Sequence, residues 1–120
     1  MAASLEAQAA AAAGNAPNLF APLHDWIANN VAGDLRVEQL AQQAGMSPRN
    51  FARIYAATMG VTPARMVEKI RIEAVRRQLE ETEMPIKQIA AACGFQKDER
   101  LRRAFARQVG TTPAEYRQRF

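Results

Sequence analysis

The stretch VEQLAQQAGMSPRNFARIYAATMGVTP, residues 37–63, decides how this chain is built. Val37, Leu40, Ala41 and Ala44 share one helical face. Gly45 ends that short segment, as a residue tolerant of left-handed backbone should. Ser47 followed by Pro48 has the form of an N-cap with proline at the first helical position, opening a second segment to about Met59. Phe51, Ile54, Tyr55 and Thr58 supply its apolar face, Gly60 closes it, and Thr62-Pro63 repeats the cap-plus-proline start. A second copy, IKQIAAACGFQKDERLRRAFARQVGTTP, occupies residues 86–113. Up to the turn the offset is 49: Val37, Leu40, Ala41, Gly45 and Met46 match Ile86, Ile89, Ala90, Gly94 and Phe95. Beyond the turn it is 50. Phe51, Arg53 and Tyr55 match Leu101, Arg103 and Phe105, and Gly60, Thr62 and Pro63 match Gly110, Thr112 and Pro113. Each copy is a short helix, a glycine turn and a second amphipathic helix, which is the helix-turn-helix pattern.

The remaining segments fit around these copies. Leu23, Trp26, Ile27 and Val31 predict a helix over Leu19–Asn30, stopped by Gly33 and Asp34. Between the copies, Met66, Val67, Ile70, Ala74 and Leu79 form an apolar stripe, predicting a long helix from Pro63 to about Glu80. Pro113 starts a last helix. The expected fold is all-α: two helix-turn-helix subdomains, at 19–62 and 81–120, joined by the central helix 63–80, with about seven helices in total. Residues 1–18, with the Ala9–Ala13 run and then Gly14, Asn15 and Pro17, read as a disordered linker or a cloning remnant.

Composition agrees. Of 120 residues 48% are hydrophobic and only 7% aromatic, enough for a helical core but poor in strand signals. The net charge of +4 points to a polyanionic partner. The basic residues are 13 Arg against 3 Lys, and Arg is the side chain that forks onto phosphate or a guanine edge. Cys93 is the only cysteine, so a disulfide framework or thiolate zinc site is not expected; it reads as a small buried residue. His24, also alone, lies in an apolar helical pattern and is not expected to be catalytic or a ligand. No run approaches the roughly 20 apolar residues of a membrane span. The Ala-rich start lacks the features of a signal peptide, so the cytoplasm is expected. No paired acid and base, phosphate-binding glycine loop or metal cluster suggests an enzyme or a cofactor.

In a helix-turn-helix the second helix buries one face and presents the other, N-terminal part first, to the major groove. In copy one that outer face is expected to carry Arg49, Ala52, Arg53 and Ala56, with the two Arg side by side and no acid within reach on the same helix. In copy two it carries Asp98, Glu99, Arg102, Arg103 and Ala106, with Arg100 and Arg107 on the flanks. Arg49, Arg53 and Arg103 are candidate base contacts. Glu99 is another: it can accept from cytosine N4, or pair with Arg103 and hold it in place. Ser47, Asn50, Lys97, Arg102, Arg107 and Thr112 are candidates for the DNA backbone or the flanks of the site. A central helix of about 18 residues, roughly 27 Å, would let the two units reach grooves one DNA turn apart. The alternative is a helical interaction or oligomerisation module with basic faces for an acidic protein, which would not need a duplicated glycine turn. RNA binding would call for exposed stacking aromatics, whereas Phe51, Tyr55, Phe95 and Phe105 fall on apolar faces.

The residues Leu40-Ala41, Gly45-Met46-Ser47-Pro48-Arg49, Phe51-Ala52-Arg53 and Gly60-Val61-Thr62-Pro63 resemble the AraC/XylS family of transcription regulators. So do Arg71–Arg76 of the central helix, Ile86, Ile89-Ala90, Cys93-Gly94-Phe95, and the closing set Leu101, Arg103, Phe105, Gly110, Thr112-Pro113, Tyr116 and Arg117. The resemblance covers Leu19 to Phe120. It implies a bacterial DNA-binding domain with two recognition helices, at about 48–59 and 98–109, in adjacent major grooves of double-stranded DNA. Family base-contacting positions fall on Arg49 and Arg53, and on Asp98, Glu99, Arg100 and Arg103. It further implies an N-terminal sensing or dimerising domain, RNA polymerase as a candidate partner, and a nucleoid location when bound. The Met46–Arg53 stretch is most similar to the subgroup carrying a class I glutamine-amidotransferase-like domain. Two positions depart from the family. Arg36 stands where Ser or Thr often caps the first helix, and Gln96-Lys97-Asp98 stands where a Ser often precedes the second recognition helix. Asp98 is expected to take over as that cap.

Overall fold

The computed structural model describes residues 17–120, and all of their regular structure is helical. The segment 1–18 read as a linker lies almost wholly outside the described residues. Pro17–Phe20 form a 3-10 turn. Then come α1 (Ala21–Ala28), α2 (Val37–Ala44), α3 (Pro48–Met59), α4 (Pro63–Glu81), α5 (Ile86–Ala92), α6 (Asp98–Val109) and α7 (Pro113–Arg119). The first helix is shorter than the predicted Leu19–Asn30. Pro22 sits in its first turn, and a proline is tolerated there but not further inside a helix, so α1 starts at Ala21. Its end closes when the Asn29 N–H donates to the Asp25 carbonyl and Asn30 Nδ2 to that of Trp26.

The chain divides into two compact units. One holds residues up to Asn30 and Asp34–Val67; the other holds Val31–Gly33 and Glu68–Phe120. In the first, Phe20, Leu23, Ile27, Leu40, Ala41, Phe51 and Tyr55 are buried, and Val67 of α4 joins them. Phe20 lies 4.8 Å from Tyr55 and 6.0 Å from Phe51 between ring centroids, so the 3-10 turn exists to bury an aromatic residue. In the second, Ile72, Val75 and Leu79 of α4 pack with Ile89, Ala90, Phe95, Leu101, Phe105 and Tyr116. The stripe predicted for the central helix is thus corrected. Val67, Ala74 and Leu79 are buried as expected, but Met66 and Ile70 are only half-buried, and Ile72 and Val75 take the core positions. A single helical period predicts one apolar face, whereas this helix contributes to two cores.

The repeated turn is the same object twice. In the first unit the Gly45 N–H donates to the Gln42 carbonyl and that of Met46 to Ala41, closing α2 with a left-handed glycine at φ 72°. In the second, Gly94 donates to Ala91 and Phe95 to Ala90, with Gly94 at φ 90°. The copies then part. Met46 leads directly to the cap Ser47, but Gln96 is interposed after Phe95 with φ 63°, the one non-glycine residue at positive φ among those described. That extra residue is what moves the sequence offset from 49 to 50.

Candidate nucleic-acid interface

The outer face of α3 is built from its start. Ser47, extended at φ −67° and ψ 151°, accepts the Asn50 N–H on its hydroxyl at 3.3 Å, and Pro48 needs no partner at the first helical position. With Phe51 and Tyr55 buried, Arg49 and Arg53 point outward and are exposed, one turn apart. Beside them the exposed small residue is Ala57. Ala52 and Ala56, expected on the outer face, are half-buried at its edge. Asn50, a backbone candidate in the sequence, accepts a 2.5 Å hydrogen bond from Arg53 Nη2 on its Oδ1. The first turn of α3 contains no acid. Two guanidinium groups therefore add to the partial positive charge of the helix N-terminus.

The corresponding face of α6 starts differently. Lys97 occupies the N-cap with extended backbone and makes no side-chain cap bond. Asp98 is the first helical residue, so it does not take over as cap. The inserted Gln96 places Lys97, which has no side-chain acceptor, at that position. Asp98 and Glu99 instead put negative charge against the positive helix end. Glu99 pairs with Arg103 at 2.7 Å, both largely exposed at 58% and 73%, which makes the pair worth under about 1 kcal/mol in stability. Arg100 and Arg102 are exposed. Arg107, placed on the flank by sequence, donates to Glu68 of α4 at 2.7 Å, and Gln108 reaches the same carboxylate at 3.1 Å. Thr112 is engaged elsewhere: its hydroxyl oxygen accepts the Glu115 N–H at 3.1 Å and caps α7.

Several residues that brace the second unit enter the sequence reading only as parts of matching motifs, with no role attached. Arg71 of α4 donates from Nε to the Val31 carbonyl at 2.9 Å and from Nη2 to that of Gly33 at 3.1 Å. Burial, and then the charge of Arg100, press its pKa down. Gly94 lies against the same place. A Cβ there would run into the Val31 carbonyl oxygen and stand 2.5 Å from Arg71 Nε. Arg117 satisfies three carbonyls past the middle of the chain, at Met84 (2.7 Å), Thr82 (3.1 Å) and Leu79 (3.3 Å). These bonds tie α7 to the last turn of α4 and to the loop that follows it. Tyr116 donates to Glu80 and accepts from Arg76 Nε at 3.2 Å. The sequence placed Arg71, Tyr116 and Arg117 in matching motifs, but their targets are carbonyls and side chains some forty positions away.

Departures from capping have local answers. Arg36 precedes α2 with no side-chain cap bond. Its own N–H and guanidinium are held by the Asp34 carboxylate at 2.8 to 3.1 Å. His24 is half-buried and its Nε2 lies 2.6 Å from the Tyr55 hydroxyl. Burial, opposed by Asp25, lowers the His24 pKa, and burial pushes that of Tyr55 up to about 12. The imidazole and the phenol thus share this hydrogen bond as neutral groups. Cys93 is buried, which raises its thiol pKa. No described group of three or more His, Cys, Asp or Glu could hold a metal, and no described helix is long and apolar enough to cross a membrane.

Residues 40–119 match the family model described as a helix-turn-helix domain. The HTH-type transcriptional regulator Rv1931c of Mycobacterium tuberculosis is 51% identical over 88 residues, covering 73% of this chain and 34% of that protein. Among solved structures, the DNA-binding domain of the global transcriptional factor AdpA, in complex with a target DNA, is 32% identical. It superposes with a TM-score of 0.77 over 83% of this chain and 90% of that one. A Chromobacterium violaceum regulator with an AraC-type DNA-binding domain shares the fold at a TM-score of 0.77, with 24% identity over 83% and 89% of the two chains. The chain spans about a third of the length of the curated relatives it matches.

Proposed function

This chain belongs to the AraC-type helix-turn-helix family of transcription regulators, and on that premise we infer that it binds specific double-stranded DNA sequences, with α3 and α6 as its recognition helices. The observation that carries this reading is the outer face of α3. Arg49 and Arg53 stand exposed one turn apart at a capped helix start that contains no acid. Such an array has no structural task in the first unit, and its fork geometry suits the O6 and N7 acceptors of guanine. Arg49, Arg53 and Arg103 read bases, with Arg100 beside them, and Glu99 acts on cytosine N4 or through Arg103. Lys97, Arg102 and the α3 N-terminus at Ser47 face phosphates. Arg107 and Thr112 hold the scaffold around them, since Glu68 and Glu115 engage both.

In this reading the helices occupy successive major grooves, so one chain reads two unlike half-sites. Regulation in the whole protein then falls to an N-terminal sensing or dimerising domain, of the glutamine-amidotransferase type that the subgroup resemblance implies. Contact with RNA polymerase and a nucleoid location in a bacterial cytoplasm belong to the same reading.

Selection of bound duplexes from a random pool tests it. Two dissimilar motifs about 10 base pairs apart are expected, with affinity that falls steeply as salt rises. Recovery of unrelated sequences, or salt-insensitive binding, would reject it in favour of a protein-interaction module.

A further inference from the structure

We propose that Asn50 is a specificity-determining positioning residue: its side-chain carbonyl presets Arg53 for guanine without neutralising it. The inference rests on the reading of Arg53 as a base contact.

Asn50 is the third helical residue after the Ser47 cap. At that position a longer Glu or Gln commonly turns back to bond the N-cap N–H. Asn50 directs its Oδ1 forward instead, to Arg53 Nη2 at 2.5 Å. Helical side chains lean toward the N-terminus, so an acceptor one turn earlier draws the guanidinium along the direction in which it must enter the groove. The bond uses one of five guanidinium N–H groups. The remaining donors still provide the parallel pair that guanine O6 and N7 require. Freezing a long side chain before binding removes an ordering cost that association would otherwise carry.

The second unit also holds the matching arginine from the preceding turn, but from a different position and with different chemistry: an i,i+4 acceptor at the place of Arg49 instead of an i,i+3 acceptor. Arg103, the counterpart of Arg53 at an offset of 50, is held from the preceding turn by Glu99 at 2.7 Å. There the acceptor is anionic and cancels the charge it positions. The amide of Asn50 aims Arg53 and leaves its full charge for the DNA.

The test is a double-mutant cycle on a duplex recovered by selection, measured beside every single-base-pair variant of that duplex. N50A is safe for the fold, since Asn50 is only half-buried, its side chain bonds nothing but Arg53, and alanine is the strongest helix former. It should lower the discrimination between the selected duplex and its best-discriminated guanine variant by about three- to ten-fold, the range for one lost hydrogen bond. In the R53A background the same change should have no further effect, and N50D should retain discrimination while weakening binding to all duplexes. Equal loss on every duplex in N50A, or losses that multiply in N50A/R53A, would show that Asn50 touches DNA by itself and would overturn the proposal. If R53A alone leaves discrimination intact, the base-reading role of Arg53 fails, and this inference falls with it.

Discussion

Helices α3 and α6 are each 12 residues long, each follows the same glycine turn, and each carries a net charge of +2. In α3 the charge is two Arg and no acid; in α6 it is four Arg set against Asp98 and Glu99. The arrangement, rather than the total, separates them. At the start of α3, Arg49 opposes the helix dipole, a disfavoured placement of about 0.3–1 kcal/mol that a phosphate or a guanine edge would relieve. At the start of α6 the acids already satisfy the dipole, and Glu99 already occupies Arg103. The first unit is left incomplete until it meets an anion, whereas the second is closer to self-sufficient. Two copies of one fold can thus divide affinity and stability between them.

The largest test of this contrast is at the turn glycines. Both lie at positive φ, where a side chain costs about 1–2 kcal/mol. A Cβ at Gly45 would meet nothing within 4 Å, while one at Gly94 collides with the Val31 carbonyl and Arg71. Gly45→Ala should therefore cost about 1–2 kcal/mol, and Gly94→Ala roughly 3 kcal/mol or more once overpacking is added. Denaturant unfolding of both variants measures the difference, and equal losses would remove the asymmetry.

On DNA, Arg53→Ala should weaken binding to a selected duplex by about 1–3 kcal/mol with little change in melting temperature. Deleting Glu99 and Arg103 together leaves net charge unchanged and should weaken binding less than Arg53→Ala, because Glu99 already engages the Arg103 guanidinium. A larger loss for the pair would make the second unit the principal reader. Smaller still is Glu99→Gln, which frees one positive charge and should steepen the logarithmic salt dependence by about one unit.

The smallest effect concerns the first unit alone. The folded-state pKa of His24 is lowered by burial, so the unfolded chain binds the extra proton first as pH falls. The stability tied to neutral His24 is complete above its unfolded value near 6.5 and is lost as pH drops through the lower folded value. Thermal melts between pH 7 and 5 should show a decline that His24→Gln reduces. An unchanged decline would assign the acid sensitivity to other groups.

The duplication, its glycines, the proline starts and the outward Arg pair were legible because each is a local signal at a fixed spacing. The shift from 49 to 50 marked one added residue beyond the turn, but neither that it is Gln96 nor that its backbone is left-handed. What stayed hidden depends on distant neighbours. Arg71 looks like one more linker arginine until Val31 and Gly33 come within its reach, and the burial of Phe20 needs Phe51 and Tyr55 beside it. Ile72 and Val75 were missed because a single helical period cannot describe a helix that serves two cores.

Gln96 has a further consequence. The backbone bonds that close α5 are those that close α2, and Phe95 is buried where Met46 is buried, so the added residue leaves the scaffold untouched. It changes only which residue begins α6. The turn is therefore a place where lineages, or protein engineers, can re-register a reading head by lengthening a hinge by one position, without rewriting the helix or the core that carries it.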